Sequence, residues 1–240
     1  MPEVTFQVAA VLFDMDGTLV DSTIGVIGAW ETFAKTYPGL DVKTILHSSH
    51  GVRTVDNLAK WCGITDPESL KDEAERFERA IVESAEGGIK MLPGVRSIFD
   101  NLSPAKSKPN QQWTICTSAT RVYATAALNA ANIDCPDNFV TADDVHKGKP
   151  HPEPYLEGAA RCGVRATDCV VVEDAPAGVI SGLAAGSRVI GLLTTHSREQ
   201  MLKAAEGAPQ DYFYLVPNLS SVSMMLVDNA LGVEITIKLV

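Results

Sequence analysis

Asp14-Met15-Asp16-Gly17-Thr18 places two carboxylates two residues apart, directly after the apolar run Val8–Phe13. A tight glycine turn aims both side chains at one point. There one carboxylate can bind a metal and attack phosphorus, while the other carries a proton to or from the leaving oxygen. A bare pair of acids on a loop is common, and the buried run before it and the Gly-Thr after it set this one apart.

Three further clusters repeat the arrangement. Thr117-Ser118-Ala119-Thr120 follows the apolar run Trp113–Cys116. Small hydroxyl residues opening a helix offer O–H and N–H donors to a phosphate, although Ser and Thr are also ordinary helix caps. Lys149 lies in Lys147-Gly-Lys-Pro-His-Pro-Glu-Pro154, on a stiff turn that can hold an ammonium against a phosphate and Asp14. Glu173-Asp174 closes the apolar run beginning at Cys169. Two acids at the end of a buried strand are costly unless positive charge compensates them. A hard cation with oxygen ligands is the natural partner, and Mg2+ takes few carboxylates together with water and phosphate oxygens.

These clusters need a scaffold. The short apolar runs Val8–Phe13, Trp113–Cys116, Cys169–Val172, Arg188–Leu193 and Tyr212–Val216, with Phe139–Thr141 a weaker one, suit strands buried on both faces. Helical segments at Val95–Leu102, Arg121–Ala131, Pro154–Cys162 and Ala177–Ala185 alternate with them. Buried strands alternating with helices mean an α/β fold on a Rossmann-like parallel sheet, with chemistry gathered beyond the strand C-termini. The segment 22–88 has helical periodicity and no strand, with helices over Thr23–Tyr37, Val52–Cys62 and Pro67–Ala85 and a flexible exit at Glu86-Gly-Gly88. It reads as a helical insertion. Leu102–Gln112 reads as a surface loop, and the tail from Met224, around Asp228-Asn229, as a terminal hairpin.

The chain of 240 residues, 45% hydrophobic and 21% charged, suits a core domain with a smaller insert. Its formal net charge of -10 repels nucleic acid and anionic membranes, so neither is an expected partner. It also repels phosphorylated metabolites, so a phosphate site needs local positive charge, backbone N–H groups or a metal. An odd count of five cysteines without a C-x-x-C pair, no signal-peptide pattern and no apolar run of membrane-spanning length point to a cytoplasmic protein with reduced thiols.

The order nucleophile pair, hydroxyl, lysine, acid pair resembles the haloacid dehalogenase superfamily from about Val8 to Leu193. Ser49-His-Gly-Val-Arg-Thr54, Gly148-Lys-Pro-His-Pro-Glu-Pro-Tyr155 and Val172-Glu-Asp-Ala-Pro-Ala-Gly178 are similar to the fungal glycerol-3-phosphate and 2-deoxyglucose-6-phosphate phosphatases. The resemblance implies a core of residues 1–20 and 89–240 with a helical cap at 21–88. By position it implies Asp14 as nucleophile, Asp16 as acid and base, and Ser118 and Lys149 as holders of the phosphoryl group. Mg2+ would be bound by Asp14, Asp16 through its carbonyl, and Asp174, with Glu173 close by. His50, Gly51, Arg53, Thr54, Ala119 and Thr120 would meet the substrate, with Arg53 reaching down from the cap to phosphate or hydroxyls. The expected substrate is a small polyol or sugar phosphate, glycerol-phosphate or hexose-phosphate in type, and the expected state a monomer or weak oligomer. A sugar phosphomutase or a silent phosphometabolite-binding protein on the same fold are the rivals. Asp21-Ser22 is more usual in other branches, whereas Arg121 after Thr120 follows the glycerol-phosphate branch, so the two hints leave the substrate open.

Overall fold

The computed structural model describes residues 3–85, 88–103, 112–227 and 232–239. Its centre is a parallel sheet of β2 (Ala10–Phe13), β5 (Trp113–Ile115), β6 (Cys169–Glu173), β7 (Arg188–Leu192) and β8 (Phe213–Val216) in the order β5-β2-β6-β7-β8. Every residue of β2, β5 and β6 is buried. Their continuous apolar runs fit strands covered on both faces. The helices α5 (Val95–Leu102), α6 (Arg121–Ala130), α7 (Glu153–Arg161) and α8 (Pro176–Ala184) form where the sequence predicts helices, with α6 and α7 both falling between β5 and β6.

The run Val8–Phe13 is not one strand. The chain bends at Ala9, and β1 (Glu3–Val8) pairs antiparallel with β10 (Val233–Lys238), which pairs with β9 (Val222–Leu226). β1 and β10 alternate between covered and exposed residues, as strands with one wet face do. Phe6 stacks on Tyr214 of β8, 5.4 Å between ring centroids. The terminal hairpin is therefore present as β9 and β10, although its turn at 228–231 lies outside the described residues. Residues 86 and 87 of the expected exit at 86–88, and most of the 102–112 loop, residues 104–111, lie outside them too. Phe139–Thr141 makes only a single bridge, Val140 to Cys116, because no second pairing follows it.

β3 (Val20–Asp21) pairs antiparallel with β4 (Lys90–Met91), and between them run α1 (Thr23–Thr36), α2 (Val42–Ser49), α3 (Thr54–Cys62) and α4 (Pro67–Ser84). The expected helix from Val52 starts at Thr54, and α2, capped by the Asp41 carboxylate, lies where the sequence reading placed no helix. Trp30, Phe33 and Phe77 join α1 to α4, with centroids 4.6 Å apart for Trp30–Phe77 and 5.0 Å for Phe33–Phe77. Among the described residues no helix is long and apolar enough to cross a membrane.

Candidate active site

The strand order makes β2 the neighbour of both β5 and β6, so the residues just past these three strands converge. The Asp14 amide donates to the Val172 carbonyl, 2.9 Å, and the Cys116 amide to the Phe13 carbonyl, 2.7 Å. The backbone then turns tightly. The Met15 carbonyl accepts from the amides of Leu19, 2.8 Å, and Val20, 3.1 Å. Gly17 adopts φ +82°, and a Cβ there would stand 2.2 Å from Asp174 Oδ2. Only glycine allows the turn to press against the acid pair.

Lys149 is 1% exposed and follows a loop after Val140; its peptide to Pro150 is cis. Its Nζ donates to Asp14 Oδ1 at 2.5 Å and to Glu173 Oε1 at 2.8 Å. Glu173 is saturated with donors: Tyr155 Oη also reaches Oε1 at 2.8 Å, and the amides of Asp174 and Ala175 reach Oε2, both at 2.9 Å. Burial works against the ammonium's charge, but Asp14 and Glu173 outweigh it and hold its pKa above the ordinary value. Asp174 accepts from Thr18 Oγ1, 3.0 Å, and from Thr195 Oγ1. Burial, then the nearby Glu173, push its carboxyl up to about 7.

These groups bear on a metal. Oxygens of Asp14, Glu173 and Asp174 lie within 4.8 Å of one another, all buried. Three carboxylates against one ammonium leave unmatched negative charge, and Glu173 adds to burial in raising the Asp174 carboxyl. A hard divalent cation fits this oxygen set. Glu173, with two donors on each oxygen, has less to offer it than Asp14 and Asp174. The Asp16 carboxylate is not in the cluster. It accepts from Ser22 Oγ at 2.6 Å and Tyr123 Oη at 2.9 Å, and burial raises its pKa against those hydrogen bonds.

A cavity of about 90 Å³ opens over Asp14 and Asp16, walled by Thr117, Ser118 and Ala119 from the core and by residues of α1, α3, α4 and the 49–52 loop. His50, Gly51 and Thr54 line it. Ser118 Oγ donates to the Gly51 carbonyl at 2.8 Å, joining core to insertion. Thr120 stands behind the wall, capping α6 and donating from its hydroxyl and, at 3.1 Å, its amide to Glu78.

Arg53 departs from expectation. It is not among the residues lining the cavity. Its Nε and Nη2 donate to the Asp56 carboxylate, 2.8 and 3.0 Å, and its Nη1 to the carbonyls of Val145 and His146, 3.4 and 3.1 Å. A neighbouring carboxylate one helical turn on and the carbonyls of the Lys149 loop take up the guanidinium.

The sequence reading gave no site role to Thr18, Ser22, Tyr123, Tyr155, Glu78 or Thr195. Thr195 carried a usable signal, since it follows β7 as the other site residues follow their strands. Tyr123 and Tyr155 sit inside helices, where apolar neighbours mask a hydroxyl's purpose.

Comparison with known proteins gives the same picture. The profile of the haloacid dehalogenase-like hydrolases matches residues 8–186. The chain is 35% identical over 199 residues to glycerol-1-phosphate phosphohydrolase 1 of Saccharomyces cerevisiae, covering 80% of this chain and 77% of that one. It is 40% identical over 181 residues to hexitol phosphatase A of Escherichia coli, covering 75% and 81%. A hydrolase from Pseudomonas syringae superposes with a TM-score of 0.71 at 27% identity, over 88% of this chain and 93% of that one.

Proposed function

This chain belongs to the haloacid dehalogenase-like hydrolases and is a phosphoric monoester hydrolase; we propose that it frees phosphate from a small polyol or sugar phosphate through a covalent intermediate on Asp14. The observation that carries the reading is Lys149 Nζ held between Asp14 and Glu173 in a buried pocket shared with Asp174. An ammonium so fixed neutralises a phosphoryl group without reorganising during the reaction. The similarity to a glycerol-phosphate and a hexitol phosphatase supports the substrate class.

Asp14 attacks phosphorus through a carboxylate oxygen, and the bond to the leaving oxygen breaks. Lys149 and the Ser118 hydroxyl offset charge on the phosphoryl oxygens. Asp16, held by Ser22 and Tyr123 away from the carboxylate cluster, gives its proton to the departing alkoxide. It then takes a proton from water, which attacks phosphorus and restores Asp14. Mg2+, held by Asp14 and Asp174, would add positive charge at the phosphoryl oxygens.

Residues 21–88 act as a cap over a core of 1–20 and 89–240, and closure shields the intermediate from bulk water. The β3–β4 ribbon, where the chain leaves and re-enters the core, is a natural hinge. The test is phosphate release from glycerol, pentose, hexitol and hexose phosphates with Mg2+ and with chelator. Metal-dependent release from at least one class is expected. Release from none would overturn the reading, and transfer to a second sugar in place of release would make the enzyme a mutase.

A further inference from the structure

Glu78 lies in the middle of α4, 4% exposed, and lines the same cavity as Asp14 and Asp16. A buried carboxylate facing a site for phosphate esters is a cost unless it does something there. Its Oε1 accepts from Thr54 Oγ1 and the Thr120 amide, each at 3.1 Å, and its Oε2 from Thr120 Oγ1. Among the described residues no lysine or arginine pairs with it. A carboxylate has about four acceptor positions, so one on Oε2 remains for another donor.

The rest of the wall is consistent in charge. No described lysine or arginine lines the cavity. Lys149 is engaged by Asp14 and Glu173 at the phosphoryl end. His50 is kept neutral near pH 7, since burial and the neighbouring His196 lower its pKa to about 4. Trp30, Phe77 and Ile81 supply apolar surface. Among the described residues, the space beyond the phosphoryl group thus offers hydroxyls, a carboxylate and apolar walls, and no cation.

We propose that Glu78 sets the leaving-group selectivity of the enzyme, accepting a hydroxyl proton of an uncharged polyhydroxy leaving group and repelling one that carries a carboxylate or a second phosphate. This rests on the phosphatase reading and narrows it. A like charge brought against a desolvated carboxylate is repelled, whereas a hydroxyl finds an acceptor already oriented. Glu78 also ties α4 to the start of α6, but that bracing role would be indifferent to the leaving group.

The experiment compares kcat/KM for glycerol 1-phosphate, 2-phosphoglycolate, glucose 1,6-bisphosphate and 4-nitrophenyl phosphate, with Mg2+. Wild type is expected to favour glycerol 1-phosphate over both anionic esters by on the order of a hundredfold or more. Glu78→Gln keeps an acceptor and removes the charge, and is expected to shrink that preference about tenfold. Glu78→Asp keeps the charge and most of the preference. Equal use of neutral and anionic esters by wild type overturns the proposal, whether or not Glu78→Gln folds. So does a folded Glu78→Gln that loses activity on all four in proportion. No release from any ester, 4-nitrophenyl phosphate included, would bring down the phosphatase reading and this one with it.

Discussion

Arg53 Nη1, at the start of α3, donates to the carbonyl oxygen of His146 at 3.1 Å, three residues before Lys149. The stem of Arg53 passes over Gly148, where a Cβ would meet its Cγ at 2.6 Å. From the core side, Glu153 accepts from the amides of His146 and Lys147, 2.7 and 3.0 Å. The loop that carries Lys149 is therefore gripped from the helical insertion and from α7 together.

Arg53→Ala is expected to lower kcat about tenfold for the preferred metabolite and for an aryl phosphate alike, because the lysine loop loses its grip whatever the leaving group. Arg53→Lys should not restore it, since one ammonium cannot serve Asp56 and two carbonyls in a planar fork. Steady-state kinetics on both esters check this. A rise in KM for the metabolite alone, with the aryl ester untouched, would return Arg53 to direct substrate binding.

Asp14→Asn would remove the proposed nucleophile and a proposed metal ligand while nearly preserving shape. Turnover is expected to vanish with the thermal transition retained, because the side chain is buried and its backbone amide still bonds Val172. Circular dichroism and phosphate release on one preparation decide it. Near-normal activity in the folded variant would refute the assigned nucleophile.

Lys149→Ala and Asp174→Ala should separate the two sources of positive charge. The lysine variant loses on the order of a hundredfold or more in kcat, the scale of a lost transition-state donor. Excess Mg2+ does not repair it, since the missing ammonium bridged Asp14 and Glu173 directly. The aspartate variant is expected to need more Mg2+ for half-maximal rate and to recover partly when it is supplied. Magnesium titrations of both variants test this, and rescue in the opposite sense would exchange the roles.

The parallel sheet was legible because β2, β5 and β6 are covered on both faces and so write uninterrupted apolar runs. β1 was not, since Val4, Phe6 and Val8 alternate with polar residues and run straight into β2. Helix α9 (Arg198–Ala204) went unread although Ser197 and Gln200 form a capping box at its start. Seven residues are too few for a periodicity to declare itself. In the site, residues at strand ends announced themselves by place. Glu78 did not, being one acid among many on a charged helix, and only folding shows it facing inward. Arg53 was visible as a residue of interest, but its neighbours Asp56, Val145 and His146 decide its role, and two of those lie some ninety positions away in the chain.

His50 predicts an acid sensitivity. Its ring meets that of His196 edge to face, 5.6 Å between centroids and 88° between planes. Burial first, and His196 second, lower its pKa from 6.5 to about 4. Between those values the unfolded chain takes up a proton that the folded one refuses. The stability contributed by a neutral His50 is therefore complete above pH 6.5 and drains away as the pH falls towards 4. A shift of this size corresponds to about 2 to 3 kcal/mol by pH 4.5. Other groups titrate over the same range, so the difference between wild type and a variant isolates this one. His50→Phe keeps a ring against His196 and cannot be protonated. Urea unfolding at pH 7.5 and pH 4.5 should show the variant losing less stability than wild type on acidification, by about that amount. Equal losses would mean that His50 charges in the folded protein as readily as in the unfolded one, and would remove it from the neutral wall of the cavity.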